Sequence, residues 1–205
     1  MVINPLENWE NLRYNIYENY YRKAGMNMAN ANMEALGFKK LTTEEIEAAG
    51  FNPFKMIGKD WMLVTAGDES SWNTMTASWG FMGIIWGKPA VMAVIRPQRY
   101  TKEFIDNSDY FTLSFFDEDM RSALLYCGKY SGRDVDKEKE TGLKPICIDG
   151  SVSFEQAKTV VVCKKAYAQD MSENCFADKG AVSAWYPDND YHTSYIGEIV
   201  SVYVK

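Results

Sequence analysis

Apolar positions at the start of the chain follow a helical step. Leu6, Trp9, Ile16 and Tyr20 recur at three- and four-residue spacing on a line with Arg13, and Leu12 and Tyr17 widen the face, so residues 5–23 are expected to form an amphipathic helix. Residues 24–40 are small, polar and rich in Asn and Met, and read as a loop or weak helix. A short helix follows over 43–49, with Thr42 or Thr43 as cap, Glu44 and Glu45 at its positive end and Gly50 as its stop. From residue 60 the period changes to two. Trp61–Ala66 and Trp72–Trp79 read as strands paired in a hairpin through Gly67–Ser71. Ala90–Ile95 is a continuous apolar strand, buried on both faces and ended by Arg96-Pro97. Thr101–Asn107 reads as a short helix, Tyr110–Phe116 as a strand, Asp119–Cys127 as a helix and Asp134–Glu140 as a charged helical turn. Val152–Phe154, Val160–Ala168 and Tyr195–Val204 complete the strands.

Strands joined mostly by turns, with short helices between them, do not give the regular alternation of a doubly wound sheet. The expected fold is mainly β (α+β): a closed or nearly closed antiparallel barrel with peripheral helices. It divides into a helical N-terminal arm, residues 1–50, that packs on its own domain or a partner subunit, and a barrel domain, residues 51–205. No G-x-G-x-x-G or phosphate-binding P-loop follows any strand, which leaves Rossmann and nucleoside-triphosphate mechanisms without support.

Composition narrows the function. The 205 residues are 46% hydrophobic, enough for a real core. Lys plus Arg number 22 against 28 Asp plus Glu, a net charge of −6 without basic blocks, which argues against nucleic acid and anionic membranes as partners. No apolar run is long enough to span a bilayer, and the first residues lack the basic head and apolar run of a secretory signal. Cys127, Cys147, Cys163 and Cys175 form no C-x-x-C pair and His192 is the one histidine, so no metal site is expected; four reduced, mostly buried thiols fit a cytoplasmic protein. Aromatics reach 14%, with 6 Trp and 13 Tyr; most suit a core, and some can line a flat conjugated ligand.

Three segments carry candidate chemistry. Arg96-Pro-Gln98-Arg99-Tyr100-Thr101-Lys102 places three cations in seven residues between a buried strand and a helix start. Such a segment can hold a phosphate monoester, each ion contact at 4 Å being worth about 4 kcal/mol at an effective dielectric near 20. Alternatively, Arg96 and Arg99 pair with acids such as Asp106 or Asp109. Asn73-Thr74-Met75-Thr76-Ala77-Ser78-Trp79 is too polar for an ordinary core strand; it suits a planar ligand lying against its backbone, with amides and hydroxyls reaching polar ring edges, a flavin among them, or else is an edge strand with ordinary Thr packing. Ser131-Gly132-Arg133-Asp134 reads as a capping-box-like helix start, or as a loop that brings amides, Arg133 and Lys137 to a ligand. His192, just before the last strand, is a candidate proton donor, although a lone histidine is more often structural.

Taken in order, these segments and Tyr195-Ile-Gly-Glu198 after His192 resemble the flavin reductase-like family, which includes flavoredoxins and flavin:NAD(P)H reductases; the resemblance covers residues 51–205. It implies an FMN-binding split β-barrel, a homodimer with the flavin near the subunit interface, and NAD(P)H as co-substrate. Thr74–Trp79, with Asn73, would line the flavin ring and ribityl chain, largely through backbone; Arg96, Arg99 and Thr101, with Gln98 and Tyr100 in the same segment, would hold the phosphate; Ser131, Gly132 and Lys137 would close one side; His192 would lie near the nicotinamide or flavin edge. The implied function is NAD(P)H-dependent reduction of flavin, or passage of electrons from bound FMN to a small-molecule or redox-protein acceptor. Alternatives are a flavoredoxin-type electron carrier with little NAD(P)H oxidation, or a non-catalytic flavin-binding module.

Overall fold

The structure, a computed structural model, describes residues 32–205; the helix expected over 5–23 lies outside them. The strands are β1 (Lys39–Lys40), β2 (Met62–Gly67), β3 (Trp72–Ala77), β4 (Gly80–Ile85), β5 (Lys88–Ile95), β6 (Tyr110–Phe115), β7 (Pro145–Ile148), β8 (Ser151–Phe154), β9 (Thr159–Asp170) and β10 (Thr193–Val204). The helices are α1 (Thr43–Ala48), α2 (Pro53–Lys55, running into a π-turn over Met56–Asp60), α3 (Thr101–Asn107), α4 (Arg121–Lys129), α5 (Lys137–Thr141) and α6 (Lys179–Trp185).

All ladders are antiparallel, in the order β3-β2-β6-β9-β10-β5-β4, with β1 added to the end of β10 and β7-β8 as a separate hairpin. β3 and β4 are consecutive in the chain, joined by Ser78 and Trp79, yet they stand at opposite ends of the hydrogen-bonded path. Both facts hold only if the sheet curls until its two edges approach. No β3–β4 ladder closes it, so the barrel is split along that line. Gly80 makes the crossing possible: its φ is +154°, and a Cβ there would stand 2.6 Å from the Met92 carbonyl oxygen.

The period of two sorts the core into two layers. Met62, Val64 and Ala66 of β2 point into the barrel with Met75, Val91, Ala93, Ile95, Phe111, Leu113, Val161, Cys163 and Tyr195. The alternate residues Leu63, Val160 and Val162 face outward under Leu124 and Cys127 of α4 and Phe154 of β8. Each fully buried large side chain contributes about 1.5–3 kcal/mol.

Several local expectations change. Residues 33–41 are not helical: Met33 and Phe38 sit in the outer core layer, and β1 pairs with Tyr203 and Val204. Only Thr43–Ala48 of the described arm is helical, held by a reciprocal Thr42–Glu45 capping box. Ser131 does not start a helix; its hydroxyl accepts from Arg133 N at 3.2 Å within a turn, and α5 begins after Asp136, whose carboxylate accepts from Lys139 N at 3.1 Å. β4, β7 and α6 had no sequence counterpart. The glycines of β4 (GFMGII) break its pattern, β7 is short, and α6 buries no residue, so no apolar stripe marks it.

Gly197 of β10 lies where the β9–β10 register shifts, and a Cβ there would stand 2.7 Å from Phe111 Cε1 and 2.8 Å from Cys163 Cβ. Gly197→Ala is therefore expected to cost about 1–3 kcal/mol by overpacking, read from urea unfolding. An unchanged midpoint would show that Phe111 has room to turn away.

Candidate functional site

The polar residues of β3 turn out to secure the strand. Thr74 Oγ1 bonds Thr65 Oγ1 at 2.8 Å, the Asn73 amide donates to Thr101 Oγ1 at 2.7 Å, and the Thr76 hydroxyl donates to the Leu124 carbonyl of α4. These side chains are spent inside the fold and do not present the row of ligand-facing hydroxyls that the sequence suggested. Thr101, fully buried against Asn73, is likewise engaged. What β3 leaves open is backbone. It is an edge strand, and on the side away from β2 its Thr74 carbonyl accepts the Lys137 ammonium at 2.6 Å. N–H and C=O groups alternate between the two sides of a strand, so Thr76 presents its own backbone to the same side.

Three cations gather there with different partners. Lys137 is buried and also donates to the Cys127 carbonyl at 3.0 Å; Arg99 donates to the Gly128 carbonyl at 2.6 Å. Both thus cap the C-terminal, negative end of α4, the ordinary structural role for a cation at that place. Among the described residues neither forms an ion pair with a carboxylate. Burial lowers the pKa of each, and the positive neighbours Arg96 (for Arg99) and Arg99 (for Lys137) add to the effect. Arg96 is different. It pairs with Asp190, donates to the Trp185 carbonyl at 2.8 Å, and lies over the Tyr186 ring at 5.3 Å. The expected acids Asp106 and Asp109 are not its partners; Asp106 takes Lys102 and the Tyr195 hydroxyl. Hydrogen bonds from Arg96 and then Gln98 hold the Asp190 carboxyl below its usual range.

A cleft of about 190 Å³ opens on the line where the barrel is split, lined by Met75, Thr76, Ala77, Ser78 and Trp79 with Val94, Arg96, Arg99, Trp185 and His192. Trp79 meets Trp185 edge-on at 4.9 Å and lies 5.2 Å from the His192 ring. A second hollow, about 330 Å³, touches Asn73, Gly132 and Lys137 but is rimmed by Glu69, Asp136 and Glu138. Gly132 is pressed against Asn73, where a Cβ would stand 2.0 Å from its Oδ1. The remaining expected residues line neither cavity: Thr74 and Thr101 are buried, Gln98 donates to Asp190 at 2.9 Å, Tyr100 lies under the Arg133 guanidinium at 4.5 Å, and Ser131 closes its turn. Sequence reasoning missed Val94, Trp185 and Asp190; a capping aspartate at 178 before Lys-Gly-Ala-Val was the available sign of α6.

The family model described as a flavin reductase-like domain matches residues 55–205. Among solved structures, this chain is similar to a flavoredoxin of Desulfovibrio vulgaris (Miyazaki F), at 23% identity and TM-score 0.56, over 71% of this chain and 69% of that one. It is also similar to an FMN-binding protein from Thermus thermophilus with bound 1-cyclohex-2-enone, at 21% identity and TM-score 0.54, over 69% and 68% of the two chains. An FMN-binding domain of a flavin reductases-like enzyme from Shewanella baltica OS155 aligns at 15% identity and TM-score 0.58, over 82% and 76%. No curated protein matches the sequence.

His192 is buried, with Nδ1 2.8 Å from the Tyr186 hydroxyl, and burial, then the charge of Arg96, push its pKa down to about 4. It is therefore neutral at neutral pH. An unfolded histidine takes up a proton near pH 6.5 that the folded one refuses until about 4, so this contribution is complete above 6.5 and is lost as pH falls through that window. After a discount for solvent screening it is worth about 2 kcal/mol. Urea unfolding at pH 7 and 4.5 is expected to show a smaller acid loss in His192→Gln than in the parent; equal losses would contradict the assignment.

Proposed function

We propose a function from one premise: the chain belongs to the flavin reductase-like family. Membership makes it a flavin-related oxidoreductase or flavin-binding protein; the proposal is that it binds FMN and uses it with NAD(P)H to reduce free flavin or another acceptor. The observation that carries the reading is Arg99: a half-buried cation with no ion-pair partner among the described residues, beside an open strand edge and two tryptophans.

The residues present fit a flavin mononucleotide. Trp79 and Trp185 give aromatic faces and keep water from one side. The open backbone of Thr76 and, beyond the last rung of the β2 ladder, that of Ser78 offer amides to the carbonyls and nitrogens of the ring edge. Arg99 meets the phosphate, and Lys137 behind it adds positive potential without a carboxylate partner. When bound, flavin supplies the redox chemistry, accepting a hydride's electron pair and passing electrons on singly or together. His192, neutral in its buried setting, faces the cleft as a hydrogen-bonding wall, which makes it a poor proton donor at neutral pH. The cleft is smaller than the roughly 300–1,000 Å³ of sites that enclose a ligand, so a ring seated here stays open on one side to a nicotinamide, an acceptor or a second subunit.

The proposal includes a homodimer. β4 is an edge strand whose Phe81 and Ile84 are each 69% exposed, followed by Trp86 at 63%, an apolar surface beside the cleft's Trp79 that a second copy can cover. Placement in the cytoplasm is supported by the four cysteines, all free thiols, of which Cys127 and Cys163 are buried and Cys175 is exposed. No described helix is long and apolar enough to cross a membrane.

Purified protein is expected to be yellow or to become so with added FMN, and to oxidise NADH or NADPH with free flavin as acceptor; one-equivalent reduction without turnover would favour the electron-carrier alternative. Arg99→Ala should weaken FMN by about 10- to 100-fold, the loss of a charge-assisted bond, and leave riboflavin nearly unchanged. Unaltered FMN affinity would remove the phosphate assignment. In sedimentation, the parent should be a dimer and Phe81→Lys with Ile84→Lys a monomer; a monomeric parent would refute the β4 interface.

A further inference from the structure

The stretch between β9 and β10, residues 171–192, carries Trp185 to the cleft, yet little apolar burial holds it. α6 buries no residue, and Trp185 is itself 53% exposed. Most of its internal contacts close it on itself: Met171 N donates to the His192 carbonyl at 2.8 Å, the Tyr186 hydroxyl bonds His192 Nδ1, and the Phe176, Tyr186 and Tyr191 rings pack together. What fastens it to the barrel at the cleft is mainly polar, with the Trp79 ring beside it. From the end of β5, Arg96 reaches Asp190 with one nitrogen and the Trp185 carbonyl with the other, Gln98 adds a second donor to Asp190, and Trp79 abuts Trp185. A guanidinium is suited to this task because its planar fork can bind a carboxylate and a carbonyl at once.

We infer that Arg96 is a positioning residue, tying Asp190 and the Trp185 backbone so that Trp185 stands as one wall of the cleft, and that phosphate recognition falls to Arg99; the second half of this statement rests on the flavin reading above. Two observations oppose a ligand role for Arg96. Both of its terminal nitrogens are already engaged, one by a carboxylate and one by a carbonyl, whereas Arg99 has a carbonyl and no carboxylate. Asp190 also depends on it: the Oδ1 atom of this side chain is buried without a partner, so removing Arg96 from Oδ2 would leave only Gln98 on the carboxylate.

The tie predicts different fingerprints for the two arginines. Hydrogen–deuterium exchange needs no flavin: Arg96→Gln and Asp190→Asn should each speed exchange in residues 179–190 at least fivefold over the parent, with β9 as the internal reference, while Arg99→Gln should not. If β9 also loosens, Arg96→Lys, which keeps the charge but not the fork, replaces the Gln variant. Unchanged exchange in 179–190 overturns the tie. Titration with FMN and riboflavin then reads the division of labour. Arg96→Gln and Asp190→Asn should weaken both flavins by a common factor of several-fold, and the double variant should be no worse than either single one. A selective loss of FMN in Arg96→Gln, with riboflavin spared, would make Arg96 a phosphate ligand and overturn the inference. If the parent binds neither flavin, the flavin reading fails together with the phosphate half, and the exchange arm alone decides the tie.

Discussion

The constraint on which the rest depends is the unfinished closure of the barrel. A two-residue connection carries the chain from one edge of the hydrogen-bonded path to the other, and the ladder that would join those edges never forms. β3 therefore keeps one unpaired backbone side in a place where the ends of β5 and the start of β10 approach it. An unpaired edge usually invites aggregation. Here α4 covers its middle, packed so closely that a Cβ on Gly128 would stand 3.2 Å from Thr76 Cβ, and the cleft occupies the remainder. The site follows from a missing set of strand-to-strand hydrogen bonds more than from any one side chain.

Electrostatics follow from the same packing. Pressing α4 onto β3 brings the helix's negative end inward, and Arg99 and Lys137 answer it with cations. A carboxylate in their place or beside them would neutralise the pocket; carbonyls only partly do. The positive potential that remains is local, in a chain whose net charge is −6. Arg96, at the same end of the barrel, is neutralised by Asp190 and contributes mainly to geometry. The second hollow shows the contrast: Lys137 is part of its lining, yet so are Glu69, Asp136 and Glu138, which make it a poor place for phosphate.

The barrel was legible in the sequence because period-two burial is a local signal. Ala90–Ile95, Tyr110–Phe116 and Val160–Ala168 each lie within an observed strand or one residue of it, and the hairpin of β2 and β3 forms as read. β4 was not legible, since two glycines and exposed apolar residues imitate neither an alternating strand nor a loop. At the site, the stretch 75–79 lines one cleft with Arg96, Arg99 and His192, while Thr101, Gln98 and Tyr100 serve their own neighbourhood. The partner of Arg96 could not be read from nearby residues: Asp190 lies 94 positions away and is delivered by the last turn before β10. Sequence proximity favoured Asp106 and Asp109, but α3 turns Asp106 toward Lys102 on its own surface.

The polar character of β3 was legible only in part. A planar ligand was expected against the strand's backbone, with amides and hydroxyls reaching its ring edges; in the fold the hydroxyls of Thr74 and Thr76 and the Asn73 side chain bond instead to Thr65, α4 and Thr101. The consequence for binding is favourable all the same. Side chains fixed by such bonds lose the rotamer freedom that a ligand would otherwise have to restrain, and they hold the strand's backbone in one place. Backbone amides then become the available donors, set at fixed spacing along a rigid edge, which suits a planar ring whose acceptors are also fixed. A strand rich in Thr and Asn can therefore mark a ligand platform for a reason opposite to the obvious one: its polar side chains face the protein, and its peptide groups are what is left for the ligand.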